Sequence, residues 1–333
     1  MKAVRLYKAG DLRVEDVPAP GEPEAGWVRL DVLAAGICGS DIHNYRTGQW
    51  ISRSPSTCGH ELTGIVTAVG ASVEGFKPGD TVVADSRFWC GECHACSKGR
   101  HHLCATLGFV GEACDGGFAE QTVLPARLLA HVSAEIDPAI AAMTEPLAVA
   151  LHAVKRLAPK AGDPVLMLGC GPIGGLAALL LSRTHDGPLM LADRNTERAA
   201  LVARVTGGQV VELNAALDPK PRGAIEATGS VAALLRLVEV MEPGGTVALV
   251  GIFHGRFDID PNIFVERELS FIGCHAFDDE LPESIALLGA LQGELGQLID
   301  QEITLDEVPA AYERLMAGRA TGLKTIIRVR PSE

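Results

Sequence analysis

Residues 165–174, Val-Leu-Met-Leu-Gly-Cys-Gly-Pro-Ile-Gly, decide the fold. Val165 to Leu168 reads as a short buried strand, and Gly169, Gly171 and Gly174 follow it in a G-x-G-x-x-G spacing that opens a helix. Glycines at those places permit a tight turn and let backbone N–H groups approach a pyrophosphate at the helix N-terminus, with Pro172 and Ile173 in the first helical turn. Asp193 closes the next apolar run, placed to accept hydrogen bonds from a ribose hydroxyl pair. In this strand–turn–helix context the glycines mark a dinucleotide site. A carboxylate at 193 repels a 2′-phosphate, so NAD is expected over NADP; the neighbouring Arg194 works the other way.

Outward from this stretch, apolar residues recur at helical spacing through Leu147, Leu151 and Val154, after which strands and helices alternate. Candidate strands cover 165–168, 189–192, 209–213, 224–227 and 246–250, with helices near 172–184, 195–205 and 230–241. That alternation predicts an α/β fold with a doubly wound parallel sheet. Ahead of Glu145 the rhythm is different. Trp27 to Ala35 alternates apolar residues at Val28, Leu30 and Val32, Lys77-Pro78-Gly79-Asp80 introduces 81–84, and Gly59-His60-Glu61 opens 62–69. This half reads as a small β-rich domain, to which a last strand at 324–329 returns.

At 333 residues, with 47% hydrophobic and 21% charged, the chain has material for two cores. Its formal net charge of −13 disfavours a phosphate backbone as partner, so no nucleic acid is expected. No apolar run reaches the roughly 18 residues a membrane span requires, and the N-terminus lacks an apolar signal segment, so no membrane partner and a cytoplasmic location are expected.

Nine cysteines in such a chain point to metal chemistry, because four of them fall in one short stretch. Cys90, Cys93, Cys96 and Cys104 can close a tetrahedral thiolate shell with no open position, which is a structural zinc pattern; an iron–sulfur cluster is the lesser alternative. A second set, Cys38, His60, Glu61 and Glu145, lies near strand ends and a helix start, where ligands from separate segments can converge; three of them with a water would make a catalytic zinc site. Taken singly, each of these also suits a buried thiol, a core histidine or a helix-start acid beside Pro146.

Together these features resemble the zinc-dependent medium-chain dehydrogenases, the family of alcohol, sorbitol and threonine dehydrogenases, over nearly the whole chain. Gly36-Ile-Cys38-Gly-Ser40-Asp-Ile-His43 is similar to that family's first zinc-ligand loop, Gly59-His60-Glu61 to its second, and Thr144-Glu145-Pro146-Leu147 to the start of its cofactor domain. Ala227-Thr228-Gly229 and Gly244 to Gly251 resemble its later cofactor-domain strands. The resemblance implies a GroES-like catalytic domain over 1–145 and 290–333, and a Rossmann NAD-binding domain over 146–289. It implies two zincs per chain, with Cys38 and His60 as catalytic ligands and Glu61 or Glu145 completing the shell directly or through water. Ser40 and His43 match the family's proton relay, and Arg198 a position near the adenosine ribose. A glutamate at 145, in the Glu-Pro-Leu form, resembles polyol, butanediol and threonine dehydrogenases.

The function that follows is oxidation of a small secondary alcohol, a polyol, sugar alcohol or sugar acid, to a ketone with NAD, in a homodimer or homotetramer. An L-threonine or 2,3-butanediol dehydrogenase is the alternative within enzymes, and an NAD-binding regulatory or structural relative the alternative outside them. Tyr45 is a candidate pocket residue. Cys58, Cys114, Cys170 and Cys274 read as core thiols. One departure from the family is length: between Arg198 and Ala224 the chain is short, which implies a βαβ unit that has lost part of a helix.

Overall fold

The computed structural model describes residues 1–256 and 258–329. Contacts divide it into two compact units. One comprises Met1–Glu145, Leu281–Ala320 and the segment from Lys324; the other comprises Pro146–Glu280 and Thr321–Leu323. The chain returns to the first unit at Leu281, ahead of the 290 expected, because the helix Leu281–Leu298 starts there and buries Leu281, Leu288, Leu291 and Leu295.

In the first unit Trp27–Gly36 runs through the middle of a mixed sheet, and its buried Val28, Leu30 and Val32 carry the period-2 pattern onto a single apolar core. The sheet order is Leu129–His131, Thr81–Ala84, Glu61–Val69, Trp27–Gly36, Lys324–Arg328 and Ile299–Ile303, with Gln121–Pro125 also paired to Trp27–Gly36. The last strand thus pairs with Trp27–Gly36, some three hundred residues earlier in the chain, antiparallel, with Ile326 opposite Gly36.

The second unit is a six-stranded parallel sheet in the order Gln209–Val210, Leu189–Ala192, Val165–Leu168, Gly223–Glu226, Thr246–Leu249, Ser270–Gly273. The central strands are wholly buried, as a sheet covered on both faces requires. Three helices start as their sequences dictate. Pro172–Thr184 has proline in its first turn, Asn195 caps Thr196–Thr206 by accepting from Arg198 N at 3.1 Å, and Ser230 caps Val231–Val240 by accepting from Ala233 N at 3.3 Å.

Two expectations are corrected in this unit. The strand expected over 209–213 stops at Val210, and among the described residues no helix stands between it and Gly223–Glu226. The helix is therefore gone altogether, where the sequence suggested only a shortening. Pro219 and Pro221 explain why: each removes an N–H donor and clashes with a preceding turn, so 211–222 cannot wind up. No helix among the described residues is long and apolar enough to cross a membrane.

Candidate active site and cofactor cradle

The metal-type cluster is a product of strand register. Gly36 at the end of one strand pairs with Glu61 at the start of its antiparallel neighbour, so the residues just beyond Gly36 lie beside those just before Glu61. Cys38 and His60 meet for that reason, and with Glu61 their ligand atoms all lie within 4.8 Å of one another. On the other side, Ile37 N donates to Thr325 O at 3.0 Å, which brings Lys324 to the same corner. Lys324 is 1% exposed and its ammonium is ion-paired with the equally buried Glu61 carboxylate. Gly36 makes room for the pair, since a Cβ there would run into the Glu61 carboxylate and the Lys324 side chain.

Asp41, in the first turn of the helix Gly39–Thr47, completes the surroundings. Its Oδ2 accepts from Cys38 N at 2.9 Å, and its Oδ1 lies 3.7 Å from His60 Nδ1. Burial works to lower the His60 pKa, but Asp41 and then Cys38 outweigh it and hold the ring well above its ordinary value. A second histidine nitrogen turned to a carboxylate while the other faces a thiol is the arrangement that orients a metal-bound imidazole. Glu145 stands outside the close group. It is buried, its Oε1 accepts from Ser86 Oγ at 2.6 Å, and burial raises its pKa. Of the four ligand candidates, then, three converge and the fourth waits beside them. The donor set, one thiolate, one imidazole and carboxylates crowded around a single lysine, suits Zn²⁺.

His43 is buried within the same helix, where its Nε2 meets Gln49 Oε1 at 3.0 Å and Thr47 Oγ1 at 3.3 Å and its ring packs at 4.3 Å on Trp50. It is therefore no surface histidine. Ser40 is half-buried one turn before it, on the same helix face; the helix N-cap is Cys38, so Ser40 is free of capping. Tyr45 is claimed by packing: its ring meets Tyr312 edge-on at 5.5 Å as part of the first unit's core.

The cysteine lobe gathers Cys90, Cys93, Cys96 and Cys104 with all four sulfurs within 4.8 Å, and none is in a disulfide. Cys90 Sγ lies 3.5 Å from Cys104 Sγ and 4.0 Å from Cys96 Sγ. These bracket the roughly 3.8 Å edge of a tetrahedron with metal–sulfur bonds of about 2.3 Å. Backbone N–H groups point at the sulfurs: Cys90 N at Cys104, Cys93 N at Cys90 and Ala105 N at Cys93, at 3.4, 3.4 and 3.5 Å. The donors from Cys96 and Ala105 draw the Cys93 thiol down to about 6. The lobe fits zinc.

In the second unit a cavity of about 770 Å³ opens at the C-terminal ends of the parallel strands, where an open α/β sheet binds its ligands. Gly169, Gly171, Pro172, Asp193, Arg198 and Thr228 all line it. Ile173 and Gly174 do not. Gly174 is buried under the turn, where a Cβ would collide with Gly169 O, so its part is to let helix and strand close up. Gly169 has φ +98°, a conformation that favours glycine. Asp193 accepts from Cys170 N at 2.6 Å and Asn195 N at 2.7 Å, and Arg198 Nε donates to Gly322 O at 3.2 Å. Thr228 is fixed by the buried Glu226, whose Oε1 accepts from Thr228 N at 2.8 Å and Gly229 N at 3.0 Å.

Sequence reading missed Asp41, Lys324 and Glu112. The first was legible as the acid three residues into a helix that follows a cysteine. Lys324 was not, because only the pairing of strands distant in sequence brings it to Glu61. Glu112 follows Gly111 in a loop that packs on the Gly59 backbone; burial pushes its carboxyl up to about 7, with His60 and Asp41 in electrostatic reach.

Comparison with known proteins adds an independent line. Residues 24–134 match the alcohol dehydrogenase GroES-like domain. The chain is 32% identical to the 2-dehydro-3-deoxy-L-galactonate 5-dehydrogenase of Pseudoalteromonas atlantica, over 92% of each chain. It is 30% identical to the sorbitol dehydrogenase of Halalkalibacterium halodurans, over 94% of this chain and 95% of that one. It is 32% identical to the L-threonine 3-dehydrogenase of Pyrococcus furiosus, over 96% and 95%. Among solved structures, a zinc-binding dehydrogenase of Sinorhizobium meliloti with NADP bound superposes with a TM-score of 0.91 at 30% identity, covering 98% of this chain and 99% of that one. An Escherichia coli alcohol dehydrogenase in complex with NADH gives 0.89 at 28%, covering 99% of each.

Proposed function

The chain belongs to the zinc-dependent medium-chain dehydrogenases, and on that footing we propose that it oxidises a polyol, sugar alcohol or sugar acid at a secondary hydroxyl, with NAD as acceptor and two zincs per chain. The observation that carries this reading is the convergence of Cys38, His60 and Glu61 within 4.8 Å, in a chain that also gathers four thiols in a second cluster. Its relatives include dehydrogenases named for a sugar acid, for sorbitol and for L-threonine, which supports a hydroxyl-bearing substrate of that kind.

Each residue has a task. Cys38 and His60 hold the catalytic zinc, and Asp41 fixes the His60 ring so that its other nitrogen faces the metal. Glu61 is held by its ion pair with Lys324, and Glu145 is kept at hand by Ser86; either can complete the shell. When bound, the zinc supplies a Lewis acid for the substrate hydroxyl and the nicotinamide ring a hydride acceptor. Ser40 accepts the hydroxyl proton and gives up its own, by way of the cofactor ribose, towards His43, whose Nε2 is held by Gln49 Oε1 and Thr47 Oγ1. Cys90, Cys93, Cys96 and Cys104 hold the structural zinc. Gly169, Gly171, Pro172 and the helix start behind them, with Ile173 and Gly174, receive the pyrophosphate, and Asp193, Arg198 and Thr228 receive the adenosine ribose side.

Asp193 supports NAD over NADP, with Arg198 tied to Gly322 O, while Arg194, which lines the same cavity, works the other way. The edge strand Ser270–Gly273, with Val265 75% exposed shortly before it, supports a homodimer or homotetramer. Nine cysteines without a disulfide support a reducing, cytoplasmic compartment. The equal identity to a threonine dehydrogenase favours a second reading, oxidation of an amino-acid hydroxyl at the same site.

Metal analysis of the purified protein, with NAD⁺ reduction across polyols, sugar acids, threonine and butanediol, tests both. Two zincs per chain and turnover on polyols or sugar acids support the first reading; turnover confined to threonine supports the second. Tight NADH binding without turnover on any member would sink both. Cys38→Ala is expected to lose turnover while NADH binding, measured by fluorescence, stays within twofold of wild type.

A further inference from the structure

The 770 Å³ cavity has a wall that neither the glycine turn nor Asp193 accounts for. It is also lined by Glu212, Leu213 and Asn214, and by Ser230, Ala233 and Arg236 from the N-cap, start and middle of the helix Val231–Val240. In an alternating parallel sheet the chain leaving Gln209–Val210 would enter a helix, whose own hydrogen bonds would hold it. That helix is missing, so 211–222 must be held by something else.

Two kinds of anchor are present. Val211, Leu213 and Leu217 pack on the second unit's core, and Arg236 donates from Nε to Leu213 O at 3.1 Å and from Nη2 to Asn214 O at 3.3 Å. Glu239, one turn further along the helix, ion-pairs with Nη1. All three guanidinium nitrogens are thereby committed, and the planar fork is set against two successive carbonyls. Three of its five N–H donors are used in this way. It acts on a ligand through the segment it holds.

We infer that Arg236 is a positioning residue for the adenosine half of the nicotinamide dinucleotide, holding Glu212 to Asn214 as the wall that the absent helix would otherwise provide. The inference rests on the dinucleotide reading of the glycine turn. Without the two donors, the carbonyls of Leu213 and Asn214 turn to water, the segment swings out, and the adenine loses one side of its slot. The nicotinamide end is untouched.

Calorimetric titration of the full-length protein with NADH, ADP-ribose and reduced nicotinamide mononucleotide separates the two ends. Arg236→Ala is expected to weaken NADH and ADP-ribose about tenfold and the mononucleotide less than twofold. Arg236→Lys, which can still reach one carbonyl, should fall between, and Glu239→Gln, which keeps both donors, should cost less than either. Hydrogen exchange should quicken over 211–217 in Arg236→Ala and stay near wild type elsewhere in the unit. Unchanged ADP-ribose binding in Arg236→Ala and Arg236→Lys would overturn the inference, as would equal weakening of the mononucleotide, which marks a general loss of structure. If wild type itself bound neither NADH nor ADP-ribose, the dinucleotide reading would fall with it, a result seen before any variant is made.

Discussion

Lys324 and Glu61 form the most consequential pair of side chains in the first unit, because both are almost wholly buried and ion-paired with each other, with Glu145 and Asp41 as further acids in electrostatic reach of the lysine. Burial works against the lysine's charge, and Glu61 more than offsets it, leaving the ammonium held above its ordinary value. Breaking such a pair leaves a bare charge in the interior. Lys324→Met should therefore cost about 3–5 kcal/mol of stability in denaturant titration. The double variant Glu61→Gln with Lys324→Met should recover most of that loss; a double variant as weak as the single would show that packing, and not charge, was lost. Residue type and position alone left Cys38, His60 and Glu61 with plain readings as a core thiol, a core histidine and an acid; it was the resemblance of their short local motifs to a family's zinc-ligand loops that singled them out, and the structure brings the three together. Their lysine partner could not be found that way, because it lies 263 residues from Glu61 in the chain and reaches it only through sheet pairing.

The glycine turn was legible as an element because its meaning is local: a strand, three glycines and a helix in immediate succession. Its tightness gives a sharp expectation. Gly174→Ala puts a methyl group into Gly169 O, so the turn must open, and NADH affinity should drop at least about tenfold while zinc content holds at the wild-type level. Wild-type affinity in that variant would mean that the turn is only packing. The strand expected over 209–213 was misjudged by the same local logic. Apolar residues at 210, 211 and 213 look like a strand, yet Val211 and Leu213 serve to pin a loop, and the prolines at 219 and 221 remove the helix that would have made the strand worth extending. A third element-level feature is the pair His152–Glu280, 3.1 Å apart, joining the helix Thr144–Leu157 to the end of the segment after Ser270–Gly273. Burial pushes the Glu280 carboxyl up, but the His152 and Asp278 hydrogen bonds outweigh it and hold it below its ordinary 4.5. Its contribution to stability is therefore complete above about pH 4.5 and is lost as pH falls through the lowered value. Glu280→Gln should melt below wild type at pH 7, with the gap narrowing only beneath pH 4.5; a gap constant with pH would rule the ion pair out as its source.

At the scale of the whole molecule, the two kinds of hydrophobic period, two in the first unit and 3.6 in the second, announced a chain of two cores before any motif was weighed. What they could not announce was the route of the chain, which leaves the first unit, returns at Leu281, lends Thr321–Leu323 to the second and comes back at Lys324. Stability is also distributed unevenly. The Cys90 to Cys104 lobe has only short 3-10 turns, and its buried side chains there are chiefly Cys96, His102 and Cys104. Cys96→Ser should remove one zinc per chain and lower the first unit's melting temperature, leaving NADH affinity unaltered; two zincs retained would dispose of the structural-site assignment. A stretch that owes its shape to four sulfurs also ties the protein's manufacture to its diet. On the proposed structural-zinc assignment each new chain must capture a metal ion before its thiols meet an oxidant, and Cys90, the exposed one of the four, is the first at risk. Cultures starved of zinc should thus yield protein that runs as a ladder of cross-linked species on a non-reducing gel, while zinc-fed cultures give a single band.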